Sequence, residues 1–526
     1  MPPPTGTSDG VNARRGPQQR TRPIEDRVAA LREYVLVSLT TRHDDQVGLV
    51  EVVFAARGAA SPAPAPTPAP APTPTPAPVL RGVGQLGNKD VDATADLAHR
   101  RVAPALLGKL LLTDVAGEVR GKDARGGGDL ASPLMDRVLA FELNYKVMGV
   151  TLNKAVAGVD AAVWDCLGRA LREPVWRLLA RSVGADPDAR DAAADAAVPV
   201  YASSLARSVA PEALGKAVAD LARDHGVSAF KVKLGERMAG LRFPERADDA
   251  GAAAYADAAN GELRAALAAV RAAAGHESGR GGAPARLLVG VDCNGGFAHW
   301  AHVERALRGC EREVWFVEEP VPWFRATMAR PPGWSESRTG RQLPHAAGEQ
   351  EFRADVWAAL IRAAGVDWAQ PDCGYAGGPT ALLLVCRHAL RHGISATPHS
   401  PTGDSFPVYA HHVIRALRCG ADAAGAGARG ASAAAAQLGE PRVELGCVDD
   451  GARQVALDPA TGAFKPAFCD ADAPGGFTVR GGAMRLSVEA SARGGWGVGD
   501  ASAEWTARAA TRVTTVEDVR GRVFRL

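Results

Sequence analysis

The sequence predicts an α/β protein whose larger part is a barrel of eight parallel strands, preceded by an α+β region. Two observations predict it. After residue 195, short apolar runs of strand character alternate with amphipathic helical stretches. The strand ends counted this way are Ser203, Lys233, Asp292, Glu318, Glu349, Asp372, His399 and Glu444, eight within the roughly 250 residues of a TIM barrel. Most of these ends carry an ionisable side chain, which is costly to bury without a task. In such a barrel the active site lies at the carboxyl ends of the strands.

The elements follow in chain order. Residues 1–24 are rich in Pro, Gly and Arg, lack an apolar stretch and are expected to form a disordered tail. Their arginines and scarce acids leave a transit peptide open. REYVLVSLTT, HDDQ and VGLVEVVF read as strand, turn and strand. The proline-rich stretch 61–78 blocks helix and ladder alike and reads as a stiff polyproline-type surface insertion. Residues 92–195 read as mostly helical, so 25–195 is expected to be an α+β domain. The barrel is expected over 196–465, with surface loops at 236–258 and 420–436, and 466–526 is expected to return and pack on the N-terminal domain. GVGQLG, from Gly82, matches GxGxxG, but it follows the proline-rich run and opens no helix, so no dinucleotide site is expected there.

Composition bounds the function. Apolar content of 46% and charged content of 23% belong to a soluble globular protein. The net charge is +2, from 61 basic and 59 acidic residues, which argues against nucleic acid or a membrane surface as the main partner. No apolar run approaches the roughly 20 residues that span a bilayer. The eight cysteines contain no CxxC pair and read as reduced thiols of a cytoplasmic protein, with organellar import left open. Cys293 and Cys373 each follow a candidate site acid, but neither has a matching base, so no nucleophile is expected.

The chemistry lies at the strand ends. Lys231 and Lys233 are two apart and share one side of a strand. Their mutual repulsion is expected to lower the pKa of at least one, which suits a general base. Asp292, Glu318 and Glu349 end the third, fourth and fifth strands of the repeat and converge on one rim. Three carboxylates there repel, and a hard divalent cation relieves them; Mg²⁺ fits best. Glu319 alternates to the other face and reads as a structural or supporting residue. Asp372 and His399 end the next two strands, and a carboxylate beside an imidazole fixes its tautomer and raises its basicity.

The ordered set KVK at 231–233, DCN at 292–294, EEP at 318–320, GEQ at 348–350, PDxxxxGG at 371–378 and His399 resembles the enolase superfamily. Within it, the set is similar to the mandelate racemase subgroup of the mandelate racemase/muconate lactonizing enzyme family. The resemblance covers nearly the whole chain and implies a capping domain followed by a modified TIM barrel, (β/α)7β, lacking its last regular helix. It implies one Mg²⁺ per active site on Asp292, Glu318 and Glu349, Lys233 as one base and the Asp372/His399 dyad as the other. Lys231 and Asn294 would hold substrate oxygens, and Glu444 matches a contact to the substrate carboxylate. The span from Lys233 to Asp292 is longer than the family usually has, and the proline-rich insertion falls in the capping domain.

The resemblance implies abstraction of a proton α to a carboxylate, with Mg²⁺ stabilising the charge that develops. The TPHSPTG context around His399 looks like that of acid-sugar dehydratases. The expected reaction is therefore dehydration of an aldonate or aldarate to a 2-keto-3-deoxy acid. Racemisation or epimerisation of a 2-hydroxy acid by the same two bases is the alternative. A cycloisomerase is disfavoured, since that subgroup resembles a lysine-based site where this chain has Asp372. A non-catalytic barrel is disfavoured because every expected ligand and base is present. The expected partner is a small carboxylate, and a homo-oligomer is expected by resemblance.

Overall fold

The computed structural model describes residues 24–523 except 45–46, 58–78, 88–89, 126–128, 143–147, 189–196, 206–209, 236–248, 279–286, 324–329, 332–333, 335–339, 341, 363–364, 401–403, 420–438, 447–462, 465–475, 499–500 and 502. The expectations for the N-terminal tail, the proline-rich insertion and the Ala/Gly-rich stretch at 420–436 lie outside the described residues, apart from Ile24.

The N-terminal sheet begins as the alternating pattern predicts. Strands β1 (Tyr34–His43) and β2 (Gly48–Ala56) pair antiparallel with Thr40 opposite Glu51. Asp44 closes the turn between them, its carboxylate accepting the Val47 amide at 2.8 Å. The sequence reading missed a third strand, β3 (Leu80–Gly87), which pairs with β2 and contains the whole GVGQLG segment. Its glycines serve packing. A Cβ on Gly82 would lie 2.1 Å from the Ala162 carbonyl oxygen, and one on Gly84 would lie 2.1 Å from that of Gly158. Both carbonyls belong to the helix Val150–Leu171, which lies against the strand and is buried along most of its length.

The barrel follows from the strand–helix alternation. The strands β4 (Ala197–Leu205), β5 (Ala229–Lys233), β6 (Leu288–Asp292), β7 (Val314–Glu318), β8 (His345–Ala347), β9 (Trp368–Ala369) and β10 (Ser395–Ala396) pair in parallel in that order. β11 (Val443–Gly446) pairs in parallel with β4. Ser400, just after β10, reaches β11 through its amide to the Glu444 carboxylate and its hydroxyl to the Glu444 carbonyl. The helix Pro211–His225 has Pro at its start and Gly226 in a left-handed cap at its end, as its sequence predicts. Tyr201, Phe316, Ala346 and Trp368 form a buried cluster joining β4, β7, β8 and β9.

One expected loop is in part a helix. Residues 249–258 belong to the helix Asp249–Ser278, with Ala252, Tyr255 and Ala256 buried. The Ala-rich composition that suggested a loop is also the best helix former once one face packs.

From β12 onward the chain divides between the two sheets. β12 (Ala463–Phe464), β13 (Phe477–Arg480) and β14 (Ala483–Leu486) form an antiparallel run whose last strand pairs with β4. β15 (Ala510–Thr515) crosses back and pairs antiparallel with β1. No helix among the described residues is long and apolar enough to cross a membrane.

Candidate active site

Strand register brings the charged residues together. Lys233 pairs with Asp292 across β5 and β6, and Asp292 with Glu318 across β6 and β7. Glu349 lies two residues beyond β8, and Asp372 forms an isolated parallel bridge with His399 beyond β9 and β10. All of these side chains point to one end of the barrel because each follows the carboxyl end of a parallel strand.

The three acids form one cluster. Asp292, Glu318 and Glu349 are buried and offer oxygens that all lie within 4.8 Å of one another. Oxygens about 2.1 Å from a Mg²⁺ ion lie up to about 4.2 Å apart, so small rotamer changes would close the trio on a cation. The charge balance points the same way. Asp292, Glu318, Glu319, Glu349 and Glu444, all buried, face Lys231, Lys233 and His399. Burial, with Asp292, Glu444 and Glu349 nearby, pushes Glu318 up to about 8 despite Lys231. Carboxylates crowded in this way suit a bound cation.

Lys231 departs from the expectation. Its Nζ lies 2.8 Å from Glu318 and 2.7 Å from Glu444. Burial opposes its charge, but Glu318 and Glu444 outweigh burial and hold it well above the usual lysine range. The lowering anticipated from lysine–lysine repulsion is therefore not found at Lys231, whose acids are Glu318 and Glu444; Lys233 pairs with Asp292.

Glu319 is the second departure. Strand alternation stops at Glu318, and Glu319 takes a left-handed φ of 38°. Its buried carboxyl therefore joins the cluster instead of turning away, and burial together with Glu349, Asp292 and Glu318 pushes it well above the usual carboxylate range.

The imidazole sits between two acids. His399 Nδ1 lies 2.9 Å from Asp372 Oδ2, and Nε2 lies 2.7 Å from Glu349 Oε2. Burial disfavours the imidazolium, but Glu349, Glu444 and Asp372 outweigh it and raise His399 well above its ordinary value. The same contact, with the lysines adding to it, overcomes burial and keeps Glu349 well below the carboxylate range. Burial opposes the charge of Glu444, but Lys231 and His399 prevail and lower its pKa to about 2.

The remaining candidates fall at the same rim. Asn294 has a left-handed φ of 44°, its amide bonds Asp292 Oδ1 at 2.9 Å, and its own Oδ1 is buried without a hydrogen-bond partner. The Ser203 hydroxyl at the end of the first barrel strand is likewise buried without a hydrogen-bond partner. Sequence reasoning missed Gln370, whose Nε2 donates to Glu318 Oε2 at 2.8 Å. The available signal was an amide side chain at a buried strand end, two residues before Asp372. Cys293 and Cys373 are buried with their thiols pushed well up by burial and by Asp292 or Asp372, so neither is a thiolate.

Comparison with known proteins agrees with this architecture. A family model for enolase C-terminal domain-like proteins matches residues 213–448. D-galactonate dehydratase of Xanthomonas axonopodis pv. citri (strain 306) is 28% identical over 292 residues, which is 55% of this chain and 64% of the relative. D-galactonate dehydratase of Variovorax paradoxus (strain S110) is 29% identical over 266 residues, 50% of this chain and 58% of that protein. The matches thus span less than two thirds of the relatives' length. Among solved structures, L-talarate/galactarate dehydratase from Salmonella typhimurium LT2 superposes with a TM-score of 0.54 at 18% identity, covering 97% of this chain and 99% of that one. A mandelate racemase/muconate lactonizing enzyme from Polaromonas sp. JS666 gives 0.53 at 16% identity, covering 92% and 99%. At such identities the structural likeness carries the fold, an α/β barrel with a capping domain. Residues 213–448 thus match the enolase C-terminal domain-like family, and the chain as a whole is similar in fold to the solved dehydratase and racemase-family structures.

Proposed function

We propose that this chain is a Mg²⁺-dependent lyase that removes the proton α to a carboxylate and dehydrates a sugar acid, an aldonate or aldarate, to a 2-keto-3-deoxy acid. The observation that carries this reading is an acid trio with a separate proton carrier on each of two members: Lys233 on Asp292 and His399 on Glu349. Asp292, Glu318 and Glu349 would hold the ion, which supplies charge stabilisation for a substrate carboxylate as its α-carbon loses a proton.

The protein's own groups account for the proton movements. The lone pair of the Lys233 amine takes the α-proton, and the C–H electron pair forms a carbon–carbon double bond. The β C–O bond breaks with its electrons on oxygen. His399, held protonated by Glu349, Glu444 and Asp372, gives that oxygen its proton, and water leaves. The resulting enol tautomerises to the 2-keto acid. Lys231 and Asn294 are assigned to substrate oxygens and Glu444 to the substrate carboxylate. In this reading residues 25–195 cap the site, 196–465 carry it, and 466–526 tie the two together. The D-galactonate dehydratase relatives support the choice of substrate class.

The test is incubation with a panel of aldonic and aldaric acids plus Mg²⁺, assayed for 2-keto acid. Turnover of at least one acid is expected. Solvent deuterium entering the α position without keto-acid formation would instead make the enzyme a racemase or epimerase. No reaction of either kind with any acid sinks the proposal.

A further inference from the structure

The helix Val150–Leu171 touches the candidate site through a residue that no sequence motif marks. Asn153 is buried, and its Nδ2 donates two hydrogen bonds, to the Phe352 carbonyl at 2.8 Å and to the Tyr375 carbonyl at 2.7 Å. Both partners are acceptors only, so the amide orientation follows from them. Phe352 lies three residues after Glu349, and Tyr375 three after Asp372. The Tyr375 amide in turn donates to Asp372 Oδ1 at 3.0 Å, so the short helical turn Cys373–Ala376 is held at one end by Asp372 and near the other by Asn153.

These contacts close a ring. Glu349 meets His399, His399 meets Asp372, the turn leads to Tyr375, Asn153 bridges to Phe352, and the chain returns to Glu349. Asn153 is the one member of the ring that lies outside the barrel. Its helix is docked beside the turn by further hydrogen bonds: Asp160 accepts the Thr380 amide and hydroxyl, both at 2.8 Å, and Trp164 donates to the same hydroxyl at 2.8 Å. Gly378 permits this approach, since a Cβ there would lie 2.6 Å from Asp160 Oδ2. A planar amide offers two donors at a fixed angle, which a hydroxyl or a carboxylate cannot reproduce.

We propose that Asn153 is a positioning residue of the active site: its amide clamps the loop after Glu349 to the turn after Asp372 and so sets the contacts of His399 with both acids. The proposal depends on the reading of Glu349 as a metal ligand and of Asp372/His399 as the proton-transferring dyad. Through Asn153 the N-terminal region acts on the geometry of ligand and dyad as well as covering the site.

The test uses the full chain with Asn153→Asp, which keeps the shape and loses the donors, and Asn153→Ala. Asp123→Ala serves as the comparison, because it breaks a different contact between the same regions, the pairs of Asp123 with Arg387 and Arg391. Calorimetry with MgCl₂ alone is expected to show Mg²⁺ affinity weakened about 10-fold to 100-fold in both Asn153 variants and unchanged in Asp123→Ala. On whichever sugar acid the wild type turns over, kcat is expected to fall at least about 10-fold in the Asn153 variants with KM little changed. Mg²⁺ affinity within about twofold of wild type in both Asn153 variants, or an equal loss in Asp123→Ala, overturns the clamp. A wild-type chain that binds no Mg²⁺ overturns it as well. A wild type that binds Mg²⁺ but dehydrates no acid sinks the proposed reaction alone, because the Mg²⁺ measurement needs no substrate.

Discussion

At the scale of single residues, protonation is decided by which charges share a buried site. Lys231 illustrates this: two acids at hydrogen-bonding distance reverse the effect expected from a neighbouring lysine. If Lys233 and His399 are the two proton carriers, Lys233→Ala and His399→Ala should each lower kcat by about 100-fold to 10,000-fold. Retention of full activity by both would remove the two-carrier mechanism. A different histidine makes stability depend on pH. His412 accepts the Trp176 amide on Nδ1 at 2.9 Å and meets the Trp496 carbonyl through Nε2 at 3.0 Å, a pattern only the neutral Nε2–H tautomer satisfies. Burial, with Arg415 adding to it, pushes its pKa down to about 3. The unfolded ring binds its proton near pH ~6.5. The unfolded state therefore binds more protons below that pH. The contribution of His412 is fully present above pH ~6.5 and is lost as pH falls toward 3, by up to about 1.4 kcal/mol per pH unit. Urea unfolding across this window should show a smaller pH slope for His412→Asn than for wild type. An identical slope would mean that this ring is not its source.

At the scale of elements, the close contact of β3 with the helix Val150–Leu171 explains why a glycine-rich segment is a strand at all. Gly is a poor strand residue by propensity, yet here absent side chains allow strand and helix backbones to meet. Gly84→Val should therefore cost about 3 kcal/mol or more, since the added atoms meet a backbone carbonyl that cannot move aside locally. The measurement is the urea midpoint. A shift below about 0.5 kcal/mol, typical of a surface site, would show that the helix is not held there. The barrel strands behave differently: β8, β9 and β10 are very short, with only two residue pairs in each ladder that joins them.

At the scale of the whole molecule, the candidate metal site and the protein's stability are linked. A ligand that binds the folded chain alone stabilises it by about 2.7 kcal/mol at a concentration 100 times its Kd. Mg²⁺ should accordingly raise the thermal midpoint, EDTA should reverse the rise, and Glu318→Gln should abolish it. A midpoint that ignores Mg²⁺ in the wild type would show that the trio holds no such ion. The C-terminal segment joins the two sheets, since β14 pairs with β4 and β15 with β1. β15 thus covers the edge of β1, which would otherwise expose unpaired backbone groups.

By itself the sequence determined the ordered series of strand-end residues, from Lys231 to His399, and the barrel that gathers them. Each of those signals is local: an apolar run followed by a charged residue, and a helix with proline at its start and glycine at its end. The tertiary structure alone decided the rest. It turned Glu319 into the acid cluster through a left-handed backbone, placed Gln370 on Glu318, made a strand of GVGQLG and brought Asn153 to the loops of Glu349 and Asp372. The reason is physical: a buried polar group or a missing side chain takes its meaning from its partner, and in these cases the partner lies tens to hundreds of residues away or depends on a backbone angle that no residue pattern announces.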